Sequence, residues 1–152
     1  ATDILIRNTQ WQIAIIKRRD EPFWYALPWG MIDRWEYAPQ AAAREALEET
    51  HASWTINTTI QQQKIINDIL TLWESHNISV SPEQQPFYVQ TSPTRDIRGH
   101  IMTLAYIMDY NGNLEKGDDA DNVERIYPHD ALAHPLIPQP HKEIIIAYLA
   151  QQ

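Results

Sequence analysis

The N-terminal part of the chain alternates short apolar segments with polar turns, a pattern that is typical of β-strands. Residues 3–7 and 12–17 are rich in isoleucine and are separated by a polar Asn-Thr-Gln turn, so we predict two strands there. Residues 23–27 and 31–32 form two further short extended segments on either side of Pro28. This part of the chain is therefore expected to contribute strands to a sheet.

A helix is predicted after these strands. Pro39 suits the first turn of a helix, which we expect to run to about Thr50. A second, amphipathic helix is predicted over residues 63–74, where isoleucine, leucine and tryptophan recur on one face. Between the two helices, residues 54–58 alternate weakly and predict a short strand.

The C-terminal part again combines strands with helices. Strands are predicted at residues 87–90, 100–110 and 123–127, and the middle one is almost entirely apolar, as expected for a strand covered on both faces. A short helix is predicted at residues 128–133 and a terminal helix at 141–149. This order of elements predicts an α/β fold in which a mixed sheet lies between helices.

The composition indicates a single globular domain over residues 1–152. The chain has 12 Lys and Arg against 20 Asp and Glu, and the net charge of −8 disfavours binding to a nucleic-acid backbone. It has no cysteine, which excludes disulfide and thiol chemistry. We find no signal peptide and no apolar run approaching about 18 residues, so we expect no membrane segment and a cytoplasmic location.

The helix that follows Pro39 carries the most informative polar residues. A helix turns by about 100° per residue, which places Glu45, Glu48 and Glu49 on one face. The opposite face, which includes Leu47, is predicted to pack on the core. Three crowded carboxylates repel one another unless a cation lies among them, and oxygen ligands in that number suit a hard divalent ion such as Mg²⁺ or Mn²⁺.

The same helix face has a simpler interpretation. Glutamate-rich faces are common and are usually solvated. Arg44 and Glu48 could form an ordinary i,i+4 ion pair that contributes only about 0.3–0.5 kcal/mol. Taken alone, this helix leaves both interpretations open.

The spacing of the residues around the helix favours the metal site, because it resembles the signature of the Nudix hydrolases. That signature is a glycine, five residues, a glutamate, seven residues and then Arg-Glu-aliphatic-x-Glu-Glu-x-Gly-aliphatic. The matching residues are Gly30, Glu36, Arg44, Glu45, Glu48 and Glu49. The resemblance implies the family's α/β/α sandwich over most of residues 3–150, with a helical insertion at about 60–84.

The resemblance also implies functions for these residues. Glu45, Glu48 and Glu49 would bind Mg²⁺ or Mn²⁺ with Glu36 and Gly30 nearby, and Arg44 would hold the carboxylates. Three positions depart from the family pattern: Ala46 and Ala52 replace bulky aliphatic residues, and His51 stands where glycine normally ends the helix in a left-handed turn. None of the three supplies a carboxylate, so the departures affect packing and loop precision more than metal binding.

Two later motifs resemble segments of the ADP-ribose pyrophosphatases in the same superfamily. Residues 93–100 read Pro-Thr-Arg-Asp-Ile-Arg-Gly-His, and residues 117–120 read Gly-Asp-Asp-Ala. Arg95 and Arg98 are suited to bidentate phosphate contacts. Asp119 is favoured as the loop carboxylate that acts as the catalytic base.

Both motifs also have structural alternatives. Arg95 and Asp96 could form a local salt bridge that holds the loop. Asp118 and Asp119 could be ordinary turn residues. Spacing does not rank Asp118, Asp119 and Asp121 firmly against one another.

Basic and aromatic residues follow the second predicted strand. Arg18 and Arg19 come shortly before Trp24, and groups of this kind suit a phosphate and a stacked adenine. Ordinary packing in the core or at its rim is an equally good interpretation of any single aromatic residue.

Together these observations predict a Nudix pyrophosphohydrolase that acts on a small-molecule nucleotide. The leading substrate is ADP-ribose, which would be cleaved to AMP and ribose 5-phosphate. The alternatives are a hydrolase of another dinucleotide or of a nucleoside triphosphate, and a catalytically silent ADP-ribose-binding module. No nucleic-acid or membrane partner is expected, and the resemblance suggests a homodimer.

Overall fold

One sheet of seven strands organises the described part of the chain, which in this computed structural model comprises residues 1–20, 24–52, 85–93, 95–96, 99–117 and 120–152. The strands are β1 (Thr2–Arg7), β2 (Ile13–Arg18), β3 (Tyr25–Ala26), β4 (Trp29–Gly30), β5 (Tyr88–Gln90), β6 (Thr103–Asp109) and β7 (Ala120–Ile126). Their main order is β3-β2-β1-β6-β5, while β4 pairs with β1 and β7 pairs with β2. β1 and β6 run parallel and the other pairs are antiparallel, which confirms the predicted mixed sheet.

Three helices accompany the sheet within the described residues. They are α1 (Ala38–Thr50), α2 (Pro128–Ala133) and α3 (Gln139–Leu149). Each has a proline in its first turn, where the missing N–H has no intrahelical partner to lose. The prediction that Pro39 marks the first turn of the first helix is confirmed.

The helices cover both faces of the sheet because β1 alternates its side chains between them. Ile4 and Ile6 are fully buried in a cluster with Ala46 of α1. Leu5 points the other way, into a cluster with Ile144 of α3. The α/β/α arrangement predicted from the sequence is therefore confirmed.

Some element boundaries differ from those predicted. The short strand lies at Trp29–Gly30 rather than at residues 31–32, because these two residues pair with β1. The apolar strand begins at Thr103, three residues later than predicted. Leu47 was expected in the core and is 50% exposed, since α1 presents its alanines to the sheet instead.

Several predictions fall outside the described residues. They are the strand at residues 54–58, the helix at 63–74 and the helical insertion at about 60–84. The strands and helices given above all belong to one compact unit, formed by residues 1–54 and 86–152. None of the helices in the described ranges has the length and apolar character that a membrane crossing requires.

Candidate active site

The guanidinium of Arg44, in the middle of α1, is the centre of a cluster of carboxylates. Its Nε and Nη2 donate to the two oxygens of Glu36, each at 3.0 Å. Its Nη1 donates to Glu45 at 2.7 Å and to Glu48 at 3.0 Å. Nη2 also donates to the carbonyl oxygen of Met31 at 3.0 Å. The fold thus brings four of the predicted site residues together through charge-assisted hydrogen bonds.

Glu36 also organises the loop that enters α1. Its Oε2 accepts from the backbone N–H of Asp33 at 3.0 Å, and its own N–H donates to the Asp33 carbonyl at 3.1 Å. The next residue, Tyr37, is the extended N-cap of α1, and its N–H donates to the side chain of Gln40 at 3.0 Å. The Glu36 side chain is only 16% exposed, so a largely buried carboxylate holds this loop in place.

Gly30 lies directly against the carboxylate of Glu45. A Cβ built at this position would overlap the Glu45 carboxyl group. A glycine is therefore required in β4 for Glu45 to lie where Arg44 can reach it. This close approach gives a physical reason for the glycine that begins the predicted motif.

Glu49 faces the same strand one turn further along the helix. Its Oε2 accepts a hydrogen bond from the backbone N–H of Trp29 at 2.8 Å. Glu48, which lies between Glu45 and Glu49 in the sequence, is the most exposed of the three, with a side chain that is 57% exposed. The predicted common face of Glu45, Glu48 and Glu49 is thus turned towards β4 and Arg44.

The charges in this cluster do not balance. Among the described residues, the carboxylates of Glu36, Glu45 and Glu48 all contact the one guanidinium of Arg44, and Glu49 lies one turn further along α1 at the Trp29 amide. Hydrogen bonding from Arg44 lowers the pKa of Glu36, and Glu36 in turn contributes most to the raised pKa of Arg44. Burial raises the pKa of Glu45, and the nearby Glu48 and Glu36 raise it further against the opposing effect of Arg44. An added cation would relieve this repulsion.

The donor set suits a hard divalent ion in its chemistry. Carboxylate oxygens on one helix face, in excess over the nearby positive charge, are the ligands that Mg²⁺ and Mn²⁺ take. Within the described ranges, however, no three acidic or histidine side chains are placed so that they could hold one metal ion together. The oxygens of Glu45 and Glu48 are turned towards Arg44, and an oxygen of Glu49 towards the Trp29 amide. The metal site therefore stays a prediction.

The C-terminal end of α1 is fastened to the loop that precedes β7. His51 ends the helix in the left-handed region, with φ 54° and ψ 14°, and its N–H donates to the Leu47 carbonyl at 2.9 Å. The N–H of Glu115 donates to the Thr50 carbonyl, and that of Gly117 donates to the Glu49 carbonyl, both at 3.0 Å. The loop thus caps carbonyls that the helix leaves open.

Gly117 is a positioning residue whose function the sequence alone did not reveal. A Cβ on it would overlap the backbone carbonyl of Glu48, so only glycine allows this close packing. The packing holds residue 117 against the glutamate-bearing turn of α1. Asp118 and Asp119, which follow directly in the chain, lie outside the described residues. In the sequence, the Gly-Asp-Asp motif marks this position, but no local pattern indicates why the motif begins with a glycine.

Arg95 belongs to a buried network beside β4, at the point where Asp3 of β1 pairs with Trp29. Its side chain is 4% exposed, and its Nη2 contacts Asp3 at 2.6 Å. Its Nη1 donates to the side chain of Gln90 at 3.0 Å, and its guanidinium lies 5.6 Å from the ring centre of Trp29. These contacts give Arg95 a structural function, whereas the predicted phosphate contact stays a prediction. Arg98 lies outside the described residues.

Asp3 is the fully buried acid of this network. Burial alone would raise its pKa, but His141, Arg95 and the hydroxyl of Thr103 together hold it below the ordinary value. The Thr103 hydroxyl donates to Asp3 at 2.6 Å, whereas Nδ1 of His141 lies 3.2 Å from Asp3 without hydrogen-bond geometry. Asp3 therefore stays charged in the folded protein. The network ties β1 to residues more than 90 positions away.

The basic and aromatic residues after β2 occupy a separate hairpin. The guanidinium of Arg18 lies 5.9 Å from the ring centre of Trp24, and the Arg18 N–H donates to the Trp24 carbonyl at 3.1 Å. Arg19 is exposed. On the next strand, Asp121 pairs with Lys17 at 2.8 Å, which lowers the pKa of this alternative loop carboxylate. Arg18 and Trp24 are thus brought together, but they lie in the β2–β3 hairpin rather than among the carboxylates around Arg44.

A model of the NUDIX domain family matches residues 1–148. The chain belongs to the NUDIX family. The family membership inferred from Gly30, Arg44 and the glutamates of α1 is therefore confirmed.

Comparisons with individual proteins show what this NUDIX domain is similar to. It is 28% identical over 141 residues to the ADP-ribose pyrophosphatase of Methanocaldococcus jannaschii, covering 91% of this chain and 66% of that protein. It is 47% identical over 47 residues to a Bacillus subtilis protein named, provisionally, an 8-oxo-dGTP diphosphatase, covering 31% of each chain.

A solved structure shows the same fold. The bifunctional NMN adenylyltransferase/ADP ribose pyrophosphatase of Francisella tularensis, crystallised with AMP and a manganese ion, superposes with a TM-score of 0.68 at 20% identity. The superposition covers 99% of this chain and 40% of that one. This NUDIX domain therefore spans about two thirds or less of the length of the relatives named here.

Proposed function

We propose that this NUDIX domain hydrolyses the pyrophosphate of a nucleoside diphosphate linked to another group, with ADP-ribose as its main substrate. The products would be AMP and ribose 5-phosphate. The observation that carries the proposal is the Arg44 cluster, in which three carboxylates are held around one guanidinium and Glu49 is held by β4. Similarity to the Methanocaldococcus jannaschii enzyme supports the choice of substrate.

Each residue of the cluster has a task in this proposal. Glu45, Glu48 and Glu49 would hold Mg²⁺ or Mn²⁺, with Glu36 and the backbone of Gly30 beside them. When bound, the metal neutralises the pyrophosphate and makes a bound water more acidic. Arg44 holds Glu36, Glu45 and Glu48 beside one another through hydrogen bonds of 2.7–3.0 Å.

The remaining tasks fall to residues outside the cluster. Asp119, two residues after Gly117 in the chain, would accept the proton of the attacking water. Arg98 would contact phosphate. Arg18, Arg19 and Trp24 are proposed as further substrate contacts on the β2–β3 hairpin.

A substrate panel tests this proposal. The purified protein is incubated with Mg²⁺ and ADP-ribose, NADH, diadenosine polyphosphates, ordinary nucleoside triphosphates or 8-oxo-dGTP, and product release is followed for each. We expect the highest kcat/KM with ADP-ribose. The matched control is Glu49→Gln, which should be slower by about 10²-fold or more on every compound in the panel.

The alternative is a nucleoside triphosphate hydrolase, which the local 47% identity to the Bacillus subtilis protein favours. Faster cleavage of a triphosphate would show that the substrate is wrong while the chemistry of the cluster stands. Binding of ADP-ribose without cleavage of any compound would identify a silent binding module instead. A homodimer stays a prediction.

A further inference from the structure

Trp35 has an unfavourable backbone conformation and an unfavourable environment. Its φ is +72°, in the left-handed region that bulky residues rarely adopt. Its side chain is nevertheless 76% exposed, so little burial of the indole offsets the strain. A strained and exposed tryptophan is a reason to look for a ligand that would cover it.

The backbone around Trp35 is held firmly beside the acidic cluster. The following residue, Glu36, is bound through both carboxylate oxygens by Arg44. On the other side, Asp33 exchanges hydrogen bonds with Glu36, and the Met31 carbonyl accepts from Arg44. The indole is therefore mounted on a loop fixed by the same guanidinium that holds the metal-site carboxylates.

The indole side chain of Trp35 is suited to stacking against a planar aromatic ring. One side of the indole is approached by the guanidinium of Arg34, whose central carbon lies 5.0 Å from the ring centre. The exposure of the indole leaves a π surface open for stacking. Aromatic side chains of this kind stack on nucleobases with little dependence on sequence.

We propose that Trp35 is the surface on which the nucleobase of the substrate stacks, and that it thereby sets the preference for base-containing pyrophosphates. The inference rests on the proposed function, because it places the phosphates at the acidic cluster next to Glu36. The base, joined to those phosphates through a ribose, then reaches Trp35 at the rim. The Trp24 ring, which lies beside Arg18, would then contact another part of the substrate.

Contact with a second copy of the chain is the competing explanation, since Met31 and Tyr37 in the same loop are also exposed. A two-fold interface brings the same patch of both copies together. Here it would bring two sets of excess carboxylates, including the open Glu48, towards each other. This repulsion favours a substrate, which would arrive together with a cation.

Trp11 provides a matched control. It is also exposed, at 56%, has a φ of +63° and lies 5.7 Å from a guanidinium, that of Arg7. Trp11 belongs to the turn that joins the end of β1, at Arg7, to β2. β4 pairs with Thr2 and Asp3 at the opposite end of β1, so Trp11 lies away from the acidic cluster.

The test is binding of AMP and of ribose 5-phosphate, measured with Mg²⁺ present. AMP carries a base and ribose 5-phosphate does not. We expect AMP to quench the tryptophan fluorescence of the wild type and of Trp11→Phe, and to lose this quenching in Trp35→Phe. Trp35→Ala should weaken AMP binding by about 5- to 150-fold, the effect of removing one base-stacking ring, and leave ribose 5-phosphate binding unchanged.

Trp35→Gly keeps the test valid if the alanine variant folds poorly, because glycine relieves the left-handed strain. Wild-type AMP affinity in a folded Trp35→Gly protein would overturn the inference. So would loss of quenching in Trp24→Phe rather than Trp35→Phe, or a change of oligomeric state with unchanged AMP affinity. Trp35-dependent AMP binding without ADP-ribose cleavage would support the stacking surface and refute only the proposed substrate.

Discussion

Replacing Gly30 with alanine is expected to disable the acidic cluster while leaving the fold intact. The new Cβ would overlap the Glu45 carboxylate, which would have to move by more than about 1 Å to reach ordinary contact. The carboxylate is the end of a flexible side chain, so moving it costs little stability, but the movement breaks the 2.7 Å hydrogen bond from Arg44. Misplacement by about 1 Å costs about 10²-fold in rate, and we expect kcat/KM to fall by that order.

The assay pairs hydrolysis of the best substrate in the panel, at saturating Mg²⁺, with thermal unfolding of the same samples. Gly112→Ala is the matched control, because a Cβ there would also meet the end of a flexible side chain, that of Tyr110, outside the Arg44 cluster. It should keep wild-type activity. A folded Gly30→Ala protein with a normal rate would refute the reasoning, since the position of Glu45 would then not matter. Equal losses in both variants would show that the effect is not specific to the cluster.

Four further predictions concern other residues. Glu49→Gln should keep the fold and lower turnover by about 10²-fold or more, and Asp119→Asn should lower it by about 10²–10⁴-fold with an unchanged melting temperature; near-normal rates would contradict either assignment. His51→Gly should raise the free energy of unfolding by about 0.4–1 kcal/mol, because glycine adopts the left-handed conformation without strain. A lower free energy of unfolding for this variant in denaturant melts would count against this. The pKa of Asp3 is held below its ordinary value of 3.8, so its stabilising effect is complete above that pH and is lost as the pH falls through the folded-state pKa. Acid should therefore destabilise the wild type more than Asp3→Asn in denaturant melts at low pH, and parallel curves would refute this.

The sequence alone determined those features that depend on local periodicity. Alternating isoleucines predicted β1 and β2, and Pro39 with the following alanines and glutamates predicted α1. The spacing of charged residues along one helix predicted which carboxylates would share a face, because a helix repeats its geometry every few residues. The family signature then supplied Glu36 and Gly30, which no periodicity connects to that helix.

Only the tertiary structure decided the contacts between residues that are distant in the chain. Pairing of β4 with β1 brings Gly30 to Glu45, and the loop before β7 brings Gly117 to the end of α1. The phosphate contact of Arg95 stays a prediction, whereas its contacts with Asp3 and Gln90 were visible only in the structure. A partner 92 residues away leaves no mark on local sequence patterns, because the attraction arises only after the sheet has placed both side chains in a buried, low-dielectric region.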